Sequence, residues 1–253
     1  MAKGPVDLFE EQYGGGRLTY SRTLPRLRRW FRPWIRDRFD VTREALEHVY
    51  TKGHVRRVLD FGCGDGRLAR VAADAAPDTL TEIVGVDISP SRVAQAQGLT
   101  LPRPNGKPGF RFVAGDESAL ESVREDGFDL VLCIAVFGQV YDLYGLGRSL
   151  LEVLRPGGYL IAEFANYAYV RHRLRSLLGR IPTISPAPMD LWRSIGWDSG
   201  ELHYFSRSTS VRFIEQVGFV VEGVHPTGLV ATLLPVWPSL LATGFVIVAR
   251  RPG

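Results

Sequence analysis

The residues best placed to do chemistry lie in the run VLDFGCGDG, residues 58 to 66. Val58 and Leu59 open an apolar strand that ends on Asp60, and Gly62, Gly64 and Gly66 follow at alternate positions. Arg67 to Ala75 then reads as a helix. Glycine admits positive φ and leaves the backbone open to a ligand. A helix start presents unpaired N–H groups to whatever lies before it. The spacing therefore predicts a binding turn. A dinucleotide turn spaces its glycines G-x-G-x-x-G and sets a pyrophosphate against the helix. Here the third glycine comes one residue early, and a carboxylate stands two residues before the first. That charge would repel a pyrophosphate and suits an ammonium group. A purely structural turn is the plain alternative.

The pattern acid-x-Gly-x-Gly-x-Gly resembles motif I of the class I S-adenosylmethionine-dependent methyltransferases. Three further matches follow in order: Asp87 in GVDI, Gly115-Asp116, and LRPGGYL at 154 to 160. The resemblance covers residues 56 to 164 and the last two strands. It implies a Rossmann-like α/β fold with a seven-stranded, mostly parallel sheet of order 3-2-1-4-5-7-6, strand 7 antiparallel. It also implies S-adenosylmethionine as cofactor. Asp60 and the turn Gly62, Cys63, Gly64 and Gly66 would then hold the methionine end. Asp87 would accept both ribose hydroxyls, although an acid there can also cap the next helix. Ile88 would lie against the adenine, Asp116 would accept from its amine, and the Glu117 N–H would donate to its ring. Cys133 and Ile134 would border the methionine end through backbone groups, or are plain core.

Methyl transfer to a hydroxyl needs a positioned acceptor and a group to take its proton. Many relatives carry histidine after the fourth strand; this chain has Gln139, which can orient an acceptor or water but is no base. His203, in the segment before a helix expected to return to the strand ends, is the first candidate base; a capping or core histidine is the alternative. Tyr204 and His172 are weaker candidates. Arg171, Arg173 and Arg175 would hold an anionic acceptor, or form a solvated helix face. Tyr13 and Tyr20, flanking the glycine run 14 to 16, would close over the acceptor and the sulfonium through their ring faces. His48, His54 and His225 read as structural. The tail, with Asn166, Arg173 and His203, is similar to the methionine-biosynthesis W protein and to methyltransferase domains of polysaccharide and natural-product pathways. Asn166 and Arg173 are thereby expected on the substrate side.

The elements that must position these residues alternate. Strands are expected at 57–61, 82–87, 109–114, 128–134, 158–164, 219–225 and 244–250. Helices are expected at 66–75, 90–97, 118–124, 142–154, 167–178 and 207–217. Apolar runs separated by helices predict a parallel sheet buried on both faces, with ligands at the carboxyl ends of the strands. Residues 1–54 precede this core as a helical extension or lid, with a helix at 42–50 that Thr42 can cap. Residues 55–253 form the main domain, with a substrate-side insertion at 165–205.

The chain has 253 residues, 45% of them hydrophobic, a net charge of +4 and an isoelectric point near 9.2. That supports one large domain. Two cysteines, Cys63 and Cys133, predict a reduced, cytoplasmic setting and no metal site. The polar N-terminus has no secretory pattern, and no stretch reads as a membrane span. No nucleic-acid module is evident. The expectation is a monomeric or homodimeric methyltransferase acting on an oxygen of a small molecule, a sugar or secondary metabolite. The alternative is a non-catalytic partner of a biosynthetic enzyme such as homoserine acyltransferase, as the tail's resemblance suggests. A peripheral membrane contact through Trp30 to Trp34 and the apolar stretch 229–241 is a third reading.

Overall fold

The computed structural model describes residues 35–99, 108–180, 201–229, 233 and 235–253. Tyr13, Tyr20 and the stretch Trp30 to Trp34 lie outside them.

Seven strands follow the expected positions: β2 (Arg57–Phe61), β3 (Glu82–Asp87), β4 (Gly109–Ala114), β5 (Phe128–Ile134), β6 (Leu154–Ala165), β7 (Val220–Leu229) and β8 (Gly244–Arg250). A two-residue strand, β1 (Ile35–Arg36), is an eighth that the sequence did not suggest. The sheet order is β1-β7-β8-β6-β5-β2-β3-β4. Without β1 this is the expected order. β8 runs antiparallel to β6 and β7, and β1 is antiparallel to β7. β1 pairs with the last two residues of β7, Gly228 and Leu229, and so covers that end of its outer edge.

β6 starts four residues earlier than expected. Phe128 pairs with Leu154, then Leu130 pairs with Tyr159, so the LRPGG turn is absorbed as a bulge. Gly157 takes φ +78° there.

Helices fill both faces: α1 (Arg38–Lys52), α2 (Arg67–Asp74), α3 (Pro90–Gln97), α4 (Leu143–Val153), α5 (Val170–Leu177), α6 (Arg207–Val217) and the short α7 (Pro238–Leu241). The helix expected at 118–124 is a 3-10 helix, Glu117–Ser122, capped by Asp116. α1 begins a turn before Thr42, because the Asp37 side chain accepts from the Asp40 N–H at 2.9 Å. Thr42 is not the cap; it is buried inside the helix.

Alternation along the strands divides the core in two. Val58, Ile83, Leu130 and Leu132 meet α1 and α2 on one face. Leu59, Val84, Val131 and Phe164 meet α4 and α6 on the other. α1, read from sequence as part of the leading extension, thus covers one face of the sheet. On the opposite face Phe137, Phe164, Phe205 and Phe213 form one aromatic cluster, with Phe137 stacked on Phe164 at 5.4 Å. That cluster joins the loop after β5 to the segment leading into α6.

Candidate cofactor and acceptor site

The turn between β2 and α2 is left-handed at every second residue: Gly62, Gly64 and Gly66 have φ of +78°, +53° and +81°. Side chains avoid that conformation, so the spacing of the glycines is a backbone requirement. The turn is laced to β3. The N–H groups of Gly62 and Cys63 both donate to the Val86 carbonyl, at 2.7 and 3.1 Å. The Gly64 N–H donates to Asp87 Oδ2 at 2.7 Å, and the Ser89 N–H donates to Asp87 Oδ1 at 2.9 Å. The Asp87 carboxylate is thereby aimed by two backbone groups, and each oxygen keeps acceptor capacity.

Asp60 is fully buried, and neither carboxylate oxygen has a hydrogen-bond partner among the described residues. Burial, then the nearby Asp87, push its carboxyl up from 3.8 to about 7; the Ala69 N–H facing it offsets part of this without reaching hydrogen-bond geometry. An unpaired buried carboxylate is costly, and a cationic partner relieves the cost. An orphaned acid beside an open backbone turn therefore fits a ligand with an ammonium group, as S-adenosylmethionine has.

Strands β4, β3, β2 and β5 are neighbours, so their carboxyl ends bring the remaining expected residues to one rim. Asp87 pairs with Ala114, two residues before Asp116, and Phe61 pairs with Cys133. Ile88 is half-buried, and Asp116 and Glu117 are exposed. Asp116 Oδ1 accepts from the Ser118 N–H at 3.0 Å and the Ser118 hydroxyl at 2.6 Å, which holds its carboxyl below the ordinary value. Cys133 and Ile134 have buried side chains, so only their backbone is available to a ligand. Burial pushes both thiols up, and both cysteines are free; neutral thiols are neither nucleophiles nor metal ligands.

Several residues at this site carry no sequence signal. Ala135, directly after β5, has φ +60°, a strained conformation for a residue with a Cβ. It turns the chain so that Val136 packs where a Gly62 side chain would be. Arg92 from α3 lies in the same relation to Gly64.

The loop after β5 also grips the segment before α6. The Gly138 carbonyl accepts from the Leu202 and His203 N–H groups at 2.6 and 3.1 Å, and the Glu201 carboxylate packs against Gly138. His203 Nε2 lies 2.8 Å from the Val140 carbonyl. A carbonyl only accepts, so Nε2 carries the hydrogen and Nδ1 of the neutral ring keeps its lone pair. Gln139 is half-buried in this loop, its N–H bonded to the Val136 carbonyl. His203 and Tyr204 line a cleft of about 370 Å³ with Tyr144, Phe205 and Arg212. Tyr204 is exposed and meets Tyr167 edge-on at 4.3 Å.

The other expected acceptor residues have different work. Asn166 is fully buried. Its amide donates to the Ser239 and Ala242 carbonyls at 3.0 and 2.8 Å, and its carbonyl oxygen accepts from the Ala168 N–H. Both its amide hydrogens are taken, so it ties the end of β6 to α7 and its C-cap instead of facing an acceptor. Arg173 Nε donates to the Ala168 carbonyl at 2.6 Å. His172 packs against Tyr167 and Tyr169; burial, then Arg171 and Arg175, lower its pKa, so it is neutral near pH 7.

Comparison with known proteins agrees with this geometry. Residues 25–224 match the family model described as a methyltransferase domain. A 2-methyl-6-phytyl-1,4-hydroquinone methyltransferase of Synechocystis is 35% identical over 104 residues, 41% of this chain and 30% of that protein. A ubiquinone biosynthesis O-methyltransferase of Bordetella avium is 30% identical over 113 residues, 44% of this chain and 43% of that protein. A ribosomal RNA large subunit methyltransferase G of Streptomyces coelicolor is 34% identical over 150 residues, 56% of this chain and 38% of that protein. The chain spans less than half the length of these curated relatives. Among solved structures, magnesium protoporphyrin IX methyltransferase of Synechocystis with bound SAH has a TM-score of 0.59 at 17% identity, covering 97% of each chain. An S-adenosylmethionine-dependent methyltransferase of Mesorhizobium loti has a TM-score of 0.55 at 20% identity, covering 82% of this chain and 96% of that one. The tail's further resemblance to the methionine-biosynthesis W protein gains no support from these matches. The laced glycine turn, the orphaned Asp60 and the family match agree: this chain belongs to the methyltransferase domain family and has the class I methyltransferase fold.

Proposed function

We propose that the chain methylates an oxygen of a small molecule and that His203 takes the acceptor's proton. The observation that carries this reading is the 2.8 Å bond between His203 Nε2 and the Val140 carbonyl. It holds the ring in the tautomer whose Nδ1 can accept a proton, and ties the segment before α6 to the loop after β5, which packs against the glycine turn through Val136. Two relatives, named a 2-methyl-6-phytyl-1,4-hydroquinone methyltransferase and a ubiquinone biosynthesis O-methyltransferase, favour a small-molecule acceptor, and the name of the second favours oxygen.

When bound, S-adenosylmethionine supplies a methyl carbon already activated by its sulfonium. Asp60 would face the ammonium group, Asp87 would receive the ribose hydroxyls, Ile88 would lie against the adenine, and Asp116 with the Glu117 N–H would read its edge. The backbone at Cys133 and Ile134 borders the methionine end. Gln139 orients the acceptor, and Tyr204 closes the mouth of the cleft. His203 Nδ1 would take the hydroxyl proton of the acceptor as it is methylated. The protein's share is positioning and proton removal, the latter worth about 10² to 10⁴-fold. In this reading the insertion 165–205 lies on the acceptor side.

The test supplies labelled S-adenosylmethionine with phenols, quinols, sugars, amines and ribosomal RNA as acceptors. The expected result is label on an oxygen of a small molecule, with turnover lowered about 10²-fold or more in His203→Gln and affinity for S-adenosylhomocysteine unchanged. Label only on RNA or nitrogen, or full turnover by the variant, overturns the reading.

A further inference from the structure

α5 is turned the wrong way round for a helix packed on a core. His172 is its one buried residue. Leu174, Leu177 and Leu178, a stripe at three- and four-residue spacing, are 56%, 81% and 73% exposed. On a 3.6-residue period this stripe lies opposite His172, with Arg171 and Arg175 on one flank and Arg173 on the other. Among the described residues none of these arginines, nor Arg180, forms an ion pair. The helix ends in a tight reversal: Gly179 takes φ +67°, and the Arg180 N–H closes on the Arg175 carbonyl at 2.8 Å. The leucine stripe therefore stops abruptly beside a fourth cation.

A second group of exposed apolar side chains precedes α7. Leu233, Val236 and Trp237 are 50%, 78% and 58% exposed. Asn166, four residues before α5, binds the Ser239 and Ala242 carbonyls and so ties α7 to the chain leading into α5.

We propose that α5, with Leu233, Val236 and Trp237, docks the protein on an anionic membrane surface. Here arginines that form no ion pair among the described residues flank an exposed leucine stripe, and a second group carries an exposed tryptophan, the composition of a helix lying in the headgroup layer. Arginines at that depth meet lipid phosphates. The chain's net charge of +4 has the matching sign. The sequence pointed to Trp30 to Trp34 and the stretch 229–241 for such a contact, and read the α5 arginines as holding an anionic acceptor or forming a solvated helix face; the burial of His172 shows which way the helix faces.

The test is flotation of the full chain with vesicles of phosphatidylcholine alone or with about 30% phosphatidylglycerol. The protein is expected to float with the anionic vesicles only, and less when salt is raised to about 0.5 M. Leu177→Glu combined with Leu178→Glu lowers the bound fraction about tenfold, and Trp237→Ala lowers it severalfold. These positions are exposed, so melting temperature and affinity for S-adenosylhomocysteine stay at the wild-type values. Failure to float on anionic vesicles, or equal flotation by the double variant, overturns the proposal. A dimer without vesicles that the double variant dissociates assigns the face to a second copy of the chain and overturns it equally. No methyl transfer is read, so the result is independent of the acceptor.

Discussion

Gly64 and Asp87, 23 residues apart in sequence, are joined by a 2.7 Å hydrogen bond from the glycine N–H to the carboxylate. The bond links the turn after β2 to the tip of β3, so the open backbone and the acid are one assembly. Asp87→Ala is expected to weaken S-adenosylhomocysteine binding about 10² -fold, the loss of charge-assisted bonds to two ribose hydroxyls. Asp87→Asn is not expected to restore it. An amide has one acceptor oxygen, and its NH₂ would face the N–H of Gly64 or Ser89. Calorimetry measures both variants; wild-type affinity in Asp87→Ala would remove this residue from the site.

Asp60 gives the fold a pH-dependent weakness. Its folded value of about 7 lies above the ordinary 3.8, so the folded state binds this proton more tightly than the unfolded chain does. The contribution to stability is fully present below about pH 4 and is lost as pH rises through about 7. Asp60→Asn removes the charge and keeps the shape. The variant is expected to be more stable than wild type at about pH 8, by about 1–4 kcal/mol, with the gain vanishing near pH 4. Binding of S-adenosylmethionine shows the complement. Wild-type affinity rises as pH passes through about 7 and the carboxylate ionises, while the variant binds weakly with a flat profile. Thermal melts and titrations across pH check both; parallel melting profiles for the two proteins would contradict the orphaned carboxylate.

Asn166 separates a structural role from an acceptor role. Alanine there leaves the Ser239 and Ala242 carbonyls without their donor. The expected loss is about 2–4 kcal/mol of stability, with affinity for S-adenosylhomocysteine retained. Urea unfolding measures it. Stability within about 0.5 kcal/mol of wild type, together with a fall in turnover, would instead return Asn166 to the acceptor site.

Much of the cofactor half was legible because its determinants are local. Apolar alternation placed β2 to β5 to the residue, and the glycine spacing stated a φ requirement that the structure meets at all three positions. The helix boundaries were less legible. Asp37 and Thr42 are both competent caps in sequence, and packing of Val41, Ala45 and Leu46 against the sheet selects the longer helix. Ala135 had no signal, since nothing in its residue type marks a left-handed turn.

The order of residues by itself determined that a bare-backbone turn and acids at successive strand ends would meet at one rim, because strand period and glycine conformation are properties of short segments. Only the tertiary structure decided which polar side chains remain open to a ligand. Asn166, Asp60 and His203 look alike as candidates on paper. Contacts from 63 to 76 residues away tie down the first and the last, while the second is left buried and unpartnered. A side chain's capacity to act is what remains after its neighbours have taken their hydrogen bonds, and those neighbours are set by the fold.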